Sequence, residues 1–162
     1  MVATLGLRVY TGASAATESG VVTGIDLISA DNATNSLANR QANPITVGTH
    51  SYEKWLKLKI SAIPDNNVSN FLVWGDGGVA SSTTLYVVGN YITGATPTSV
   101  TSSVATNDFT TYTSGAKLTW DAGPYTNTND TTRYLVFQLA VNSDANPGNW
   151  TQETVSYSYD ET

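Results

Sequence analysis

Trp55-Leu56-Lys57-Leu58-Lys59-Ile60-Ser61 places Leu56, Leu58 and Ile60 at every second position, with Lys57 and Lys59 between them. Successive side chains of a strand point to opposite faces, so the three apolar residues share one face and the two lysines the other. A helix would scatter the same residues around its circumference. The stretch therefore reads as a half-buried β-strand and predicts Leu56, Leu58 and Ile60 in a core. The same period recurs in both directions. Leu5, Leu7 and Val9 alternate with Thr4, Gly6 and Arg8, and Ile25 and Leu27 with Gly24 and Asp26; near the end, Val155, Tyr157 and Tyr159 alternate with Thr154, Ser156, Ser158 and Asp160.

Between these lie further strand signals. Pro64-Asp65-Asn66-Asn67 reads as a turn, and the apolar run Phe71-Leu72-Val73-Trp74 stops at Gly75-Asp76-Gly77-Gly78, so the two runs flanking the turn form a hairpin-sized unit. Thr84-Leu85-Tyr86-Val87-Val88 is a strand, with weaker Thr-rich segments around Ser99–Thr106 and Lys117–Trp120. Tyr134-Leu135-Val136-Phe137-Gln138-Leu139-Ala140-Val141 is apolar on both faces, the pattern of a mid-sheet strand covered on both sides. About eight strands with no helix longer than a turn or two predict an all-β, single-domain β-sandwich over residues 1–162. A jelly roll is the first expectation and an immunoglobulin-like sandwich the alternative. The longest candidate loop is Asp31–Pro44, with room for one helical turn at Ser36-Leu37-Ala38-Asn39-Arg40.

Hydrophobic residues make up 40% of the 162 and charged residues only 12%, about half the usual charged share. The solvated surface must therefore be built mainly from Ser, Thr, Asn and Gly. Thirteen acids against seven bases give a net charge of −6, which repels phosphate backbones, so nucleic acid is not an expected partner. Lys54, Lys57 and Lys59 are the only basic cluster, and a solvated strand face accounts for it. No stretch approaches 18 apolar residues and the first eight lack a signal-peptide pattern, so neither a membrane partner nor export is expected.

With one histidine and no cysteine, the chain has no thiol nucleophile and no multi-histidine metal site. His50 stands beside no recognisable nucleophile turn. Several carboxylates could pair for glycoside chemistry, but nothing in their spacing selects two of them. Asn142-Ser143-Asp144-Ala145-Asn146-Pro147-Gly148 superficially resembles a calcium loop but lacks the closing glutamate, and any turn would use its proline and glycine. No catalytic residue, cofactor or metal is expected. Of the four tryptophans, Trp55 lies on the lysine face of its strand and Trp150 follows a turn, which reads both as surface or interface residues and Trp74 as core.

Three stretches carry a family resemblance: Tyr52-Glu53-Lys54-Trp55-Leu56-Lys57-Leu58-Lys59, Val68-Ser69-Asn70-Phe71-Leu72-Val73-Trp74-Gly75-Asp76-Gly77, and Thr151-Gln152-Glu153-Thr154-Val155-Ser156-Tyr157-Ser158-Tyr159-Asp160-Glu161. They resemble the small β-rich virion structural proteins of tailed bacteriophages, which include head decoration, or cement, proteins. The resemblance implies a non-enzymatic, jelly-roll-like subunit on the outer surface of a capsid, made in the host cytoplasm. Its implied partners are the major capsid protein and further copies of itself, as a homotrimer. A carbohydrate-binding or receptor-binding β-sandwich domain of a tail fibre is the alternative, resting on the aromatics and polar loops. The N-terminal segment 1–10 and the loop 31–44 are the expected assembly elements. The candidate interface residues are Leu5, Leu7, Val9, Tyr10, Arg40, His50, Tyr52, Trp55 and Trp150.

Overall fold

Alternating apolar positions become strands because pairing satisfies each backbone N–H and C=O while one row of side chains leaves water. A computed structural model describes residues 2–62, 67–76, 78–100, 104–146 and 153–162 of the protein. Its strands are β1 (Thr4–Thr11), β2 (Thr17–Glu18), β3 (Lys54–Ala62), β4 (Val68–Gly75), β5 (Thr83–Tyr91), β6 (Asn107–Asp108), β7 (Leu118–Asp121), β8 (Tyr134–Val141) and β9 (Val155–Glu161). They form a six-stranded sheet in the order β2-β1-β3-β8-β5-β6 and a three-stranded sheet in the order β7-β4-β9, antiparallel throughout. The fold is an all-β sandwich.

Leu56, Leu58 and Ile60 of β3 are buried, as their spacing requires, together with Leu85 and Val87 of β5 and Leu135, Phe137 and Leu139 of β8. Val68, Phe71 and Val73 of β4 and Trp120 of β7 meet them from the smaller sheet. Phe109 completes this core, its ring edge-on to Phe137 with centroids 5.0 Å apart. Gly89 of β5 has no room for a side chain, since a Cβ there would lie 2.3 Å from the Thr119 carbonyl oxygen. The two sheets approach each other closely at that point.

β8 is buried along its whole length, because the outer face of the six-stranded sheet is covered as well. Tyr10, Trp55, Tyr134 and Val136 form a second cluster there with Ala15 and Ala105, flanked by Val104 and Ala95. This overturns the surface reading of Trp55. Its side chain is 0% exposed and packs edge-on against Tyr91 and Tyr134, with centroids 5.5 and 5.2 Å away. Lys54 of the same strand is also buried, at 1% exposure, so the basic cluster is not a solvated face throughout. Trp74, expected in the core, is half-buried under the ammonium of Lys117, 4.2 Å from the ring centroid.

Other expectations need correction. β3 and β4 do not pair as a hairpin; they belong to different sheets. Gly24–Leu27 is not a strand, since the Asp26 side chain turns inward to accept from Ser36 N and Arg40. Ser99, Val100 and residues 104–106 form no strand, and 101–103 lie outside the described residues, as do Pro64, Asp65 and Asn66 of the expected turn. The helical turn in the Asp31–Pro44 loop is present as α1 (Leu37–Ala42), capped by Ser36 Oγ, which accepts from Asn39 N at 3.1 Å. Among the described residues, no helix is long and apolar enough to cross a membrane.

Candidate functional site

Of the nine residues singled out as interface candidates, the eight among the described residues are spread over buried and exposed positions. Val9 and Tyr10 are 1% and 8% exposed, and β1, far from being a free arm, is zipped to β3 from Thr4 to Tyr10 and to β2 at its end. Leu5 and Leu7 are half-buried against the main core. Tyr52 is half-buried and donates its backbone N–H to the Ile28 carbonyl. His50, also half-buried, bridges to Ala140 and lines a shallow depression with Gly48, Tyr86, Asn142, Ser143 and Asp144. Arg40 is exposed and tied to Asp26 at 2.7 Å. Trp150 lies outside the described residues.

Arg40 belongs to a polar network that sequence reasoning saw only as a long Asn-rich loop. Asn32 and Asn39 exchange amide hydrogen bonds at 3.0 and 3.1 Å, and Asn43 Nδ2 donates to the Asn39 carbonyl at 3.0 Å. Lys54 Nζ reaches up from β3 and donates to the carbonyls of Ala30 and Asn32 at 3.0 and 2.7 Å. Burial lowers the Lys54 ammonium to about 8, although the neighbouring Asp31 and Asp26 charges pull it back up. The loop is therefore anchored to the sandwich by a lysine whose charge is held in a poorly solvated place. That arrangement orders the loop.

A second polar set lies on the covered face of the large sheet. The buried Glu53 carboxylate accepts from Trp55 Nε1 at 3.0 Å and from the backbone N–H groups of Thr98 and Val104. Gln138 Nε2 donates to the carbonyls of Ser51 and Thr98, both at 3.1 Å. Together these side chains hold Thr98 and Val104 over the sheet. Asp121, buried in β7, accepts from Tyr125 OH, Arg133 N and Gly123 N, which serves the same structural purpose at the other edge.

Among the described residues, the outer face of the smaller sheet is only partly covered. Its outer face carries Leu72 and Trp74 of β4 beside Thr119 of β7 and Ser156 and Ser158 of β9, by the register of the strands. Next to Trp74, an open cleft of about 370 Å³ is lined by Gly75, Asp76, Thr110, Tyr112, Thr113 and Ser114. Ser156 Oγ donates to Asp76 at 2.6 Å on its rim. The lining is hydroxyl-rich with one aromatic ring and one carboxylate, a set suited to hydrogen bonding with a polar ligand. No group of His, Cys, Asp or Glu among the described residues is arranged to hold a metal ion.

Comparison with protein-family models, with curated proteins and with solved structures finds no match. The chemistry of the surface therefore carries the functional argument.

Proposed function

We propose that the protein is a non-enzymatic virion structural protein, a capsid decoration protein that binds the major capsid protein and associates with itself on the outside of a phage head. The observation that carries this reading is the poverty of surface charge. The chain has only 12% charged residues, and Asp26, Glu53, Lys54 and Asp121 are withdrawn into the interior. The exposed surface keeps a thin scatter of charges, among them Glu18, Lys117 and Asp144, in a field of Ser, Thr, Asn and apolar side chains that include Val2, Val21, Ile92 and Tyr157. Depletion of charge is the compositional mark of surfaces that become buried between proteins. Successive strands that alternate between sheets, β3 to β4 to β5 and β7 to β8 to β9, support the jelly-roll form within the sandwich. The three stretches that resemble decoration proteins point the same way.

The cleft beside Trp74 favours a second reading, a carbohydrate-binding or receptor-binding domain of a tail fibre. Sugar rings stack on aromatics and bond to carboxylates and hydroxyls, and Tyr112, Asp76 and Thr110 supply these groups. Abundance separates the two. In particles purified from the phage or host that encodes the chain, quantitative mass spectrometry should find it at a copy number of the same order as the major capsid protein. A trace amount on the scale of tail proteins would reject decoration in favour of the fibre domain.

A further inference from the structure

β9 is the longest strand at the edge of either sheet. The edges of the large sheet are two-residue strands, β2 and β6, and the other edge of the small sheet is the four-residue β7, whereas β9 runs for seven residues. Short edge strands are one way proteins avoid unwanted pairing. β9 lacks that protection.

The backbone bonds fix which of its groups are free. Asn67 and Thr162 exchange both backbone bonds, and Asp76 N donates to Thr154 O, so the even-numbered residues of β9 point their backbone at β4. On β4, Val68 and Gly75 turn their N–H groups the other way, to Tyr125 and Tyr112, which leaves Glu161 and Val155 opposite them unbonded on that side. Val155, Tyr157, Tyr159 and Glu161 thus direct N–H and C=O groups outward, and among the described residues nothing pairs with them. Two of their side chains, Val155 and Tyr157, are 41% and 44% exposed, and Tyr157 stacks on Tyr159 at 6.4 Å.

We propose that this edge pairs with β9 of a second copy, antiparallel about Ser158, so that the two three-stranded sheets become one sheet of six. The sequence of β9 is self-complementary in that register. Tyr157 faces Tyr159, Ser156 faces Asp160 and Val155 faces Glu161, each pair occurring twice around the two-fold axis. The directly opposed pairs on either side of the central Ser158–Ser158 pair are aromatic with aromatic or acid with an uncharged residue, and aromatic cross-strand pairs are stabilising. A parallel pairing would set Asp160 against Asp160 and Glu161 against Glu161, which like-charge repulsion disfavours. The outward-facing residues are the ones that become hydrogen-bonded pairs in this register. The contact is isologous and makes a dimer; a three-fold ring could coexist with it only as a separate interface. It does not depend on what the protein decorates.

The absence of cysteine provides a clean test, because a single introduced thiol has no competitor. Ser158 would face Ser158 of the second copy as a non-hydrogen-bonded pair, with Cα atoms about 4.5 Å apart, within disulfide reach. Ser156, on the same face and also half-buried, would lie about 14 Å from its own counterpart, beyond that reach. The wild-type chain should sediment with a concentration-dependent mass approaching a dimer. Under mild oxidation Ser158→Cys should form a covalent dimer at least tenfold faster than Ser156→Cys. Tyr157→Lys, which changes an exposed side chain at the edge, should shift the wild-type equilibrium toward monomer while keeping the same circular dichroism. A wild type that stays monomeric at every concentration, or a dimer in which Ser158→Cys crosslinks no faster than Ser156→Cys, overturns the proposal whatever the outcome of capsid binding.

Discussion

Lys54 is the residue at which sequence pattern and environment diverge most. Its ammonium is buried beneath the Asn-rich loop and bonded only to neutral carbonyls among the described residues, so burial lowers it from 10.5 to about 8. Between about pH 8 and 10.5 the unfolded chain binds more protons at this position than the folded one, and stability then rises with pH. Tyr10, Tyr125, Tyr134 and Tyr159 act in the opposite sense above about pH 10, because burial raises each of them and their contribution is lost once the unfolded tyrosines ionise. Urea titrations at pH 7.5 and 9.5 should therefore give a more stable protein at the higher pH, and Lys54→Met should flatten that rise. An identical pH slope in wild type and variant would show that Lys54 is not the titrating group. Trp55 departs from its pattern for a related reason. Alternation places it on the lysine face, but its cross-strand neighbour is Val136 of β8, and β8 is apolar on both faces. That two-sided pattern in the sequence already implied cover over the outer face of the large sheet, and hence over Trp55. Lys57 belongs to the same cover, its ammonium 4.0 Å above the Tyr134 ring.

At the scale of elements, most strands were legible because each pattern of period two is a local property. Their pairing was not. β3 and β4 are separated by a short turn signal, yet each packs its apolar face against the same core from opposite sheets, and nothing in either segment distinguishes a hairpin from a crossing between sheets. β2 and β6 are too short to leave a period. The Gly24–Leu27 segment has the alternation but spends Asp26 on capping the loop. The N-terminal segment, expected as an assembly element, supplies β1, which lies between β2 and β3 in the large sheet. Removing residues 2–10 would strip β3 of its partner from Leu5 to Tyr10 and expose Leu56, Leu58 and Ile60. The truncated protein should lose its cooperative thermal transition and bind hydrophobic dyes. A truncation that melts at the wild-type temperature but fails to assemble would make the segment an assembly element and not a structural strand.

For the whole molecule, composition and structure combine. A low share of charged residues was visible in the sequence, but that Glu53, Lys54, Asp26 and Asp121 are buried was not, since burial of a charge depends on partners distant along the chain. The candidate cleft was equally hidden: Asp76 and Tyr112 are far apart in sequence and meet only because Gly75 N bonds to the Tyr112 carbonyl. The resulting surface is poor in charge, which weakens the electrostatic barrier that a net charge of −6 would otherwise set against association. We propose that this surface joins a capsid. The most direct measurement is addition of the purified chain to particles that lack it, with bound protein determined by co-sedimentation over a range of concentrations. Saturable binding at a fixed ratio to the major capsid protein and a higher temperature for shell disruption are expected. No binding to such particles, with retention on a glycan surface that Asp76→Ala abolishes, would contradict the proposal.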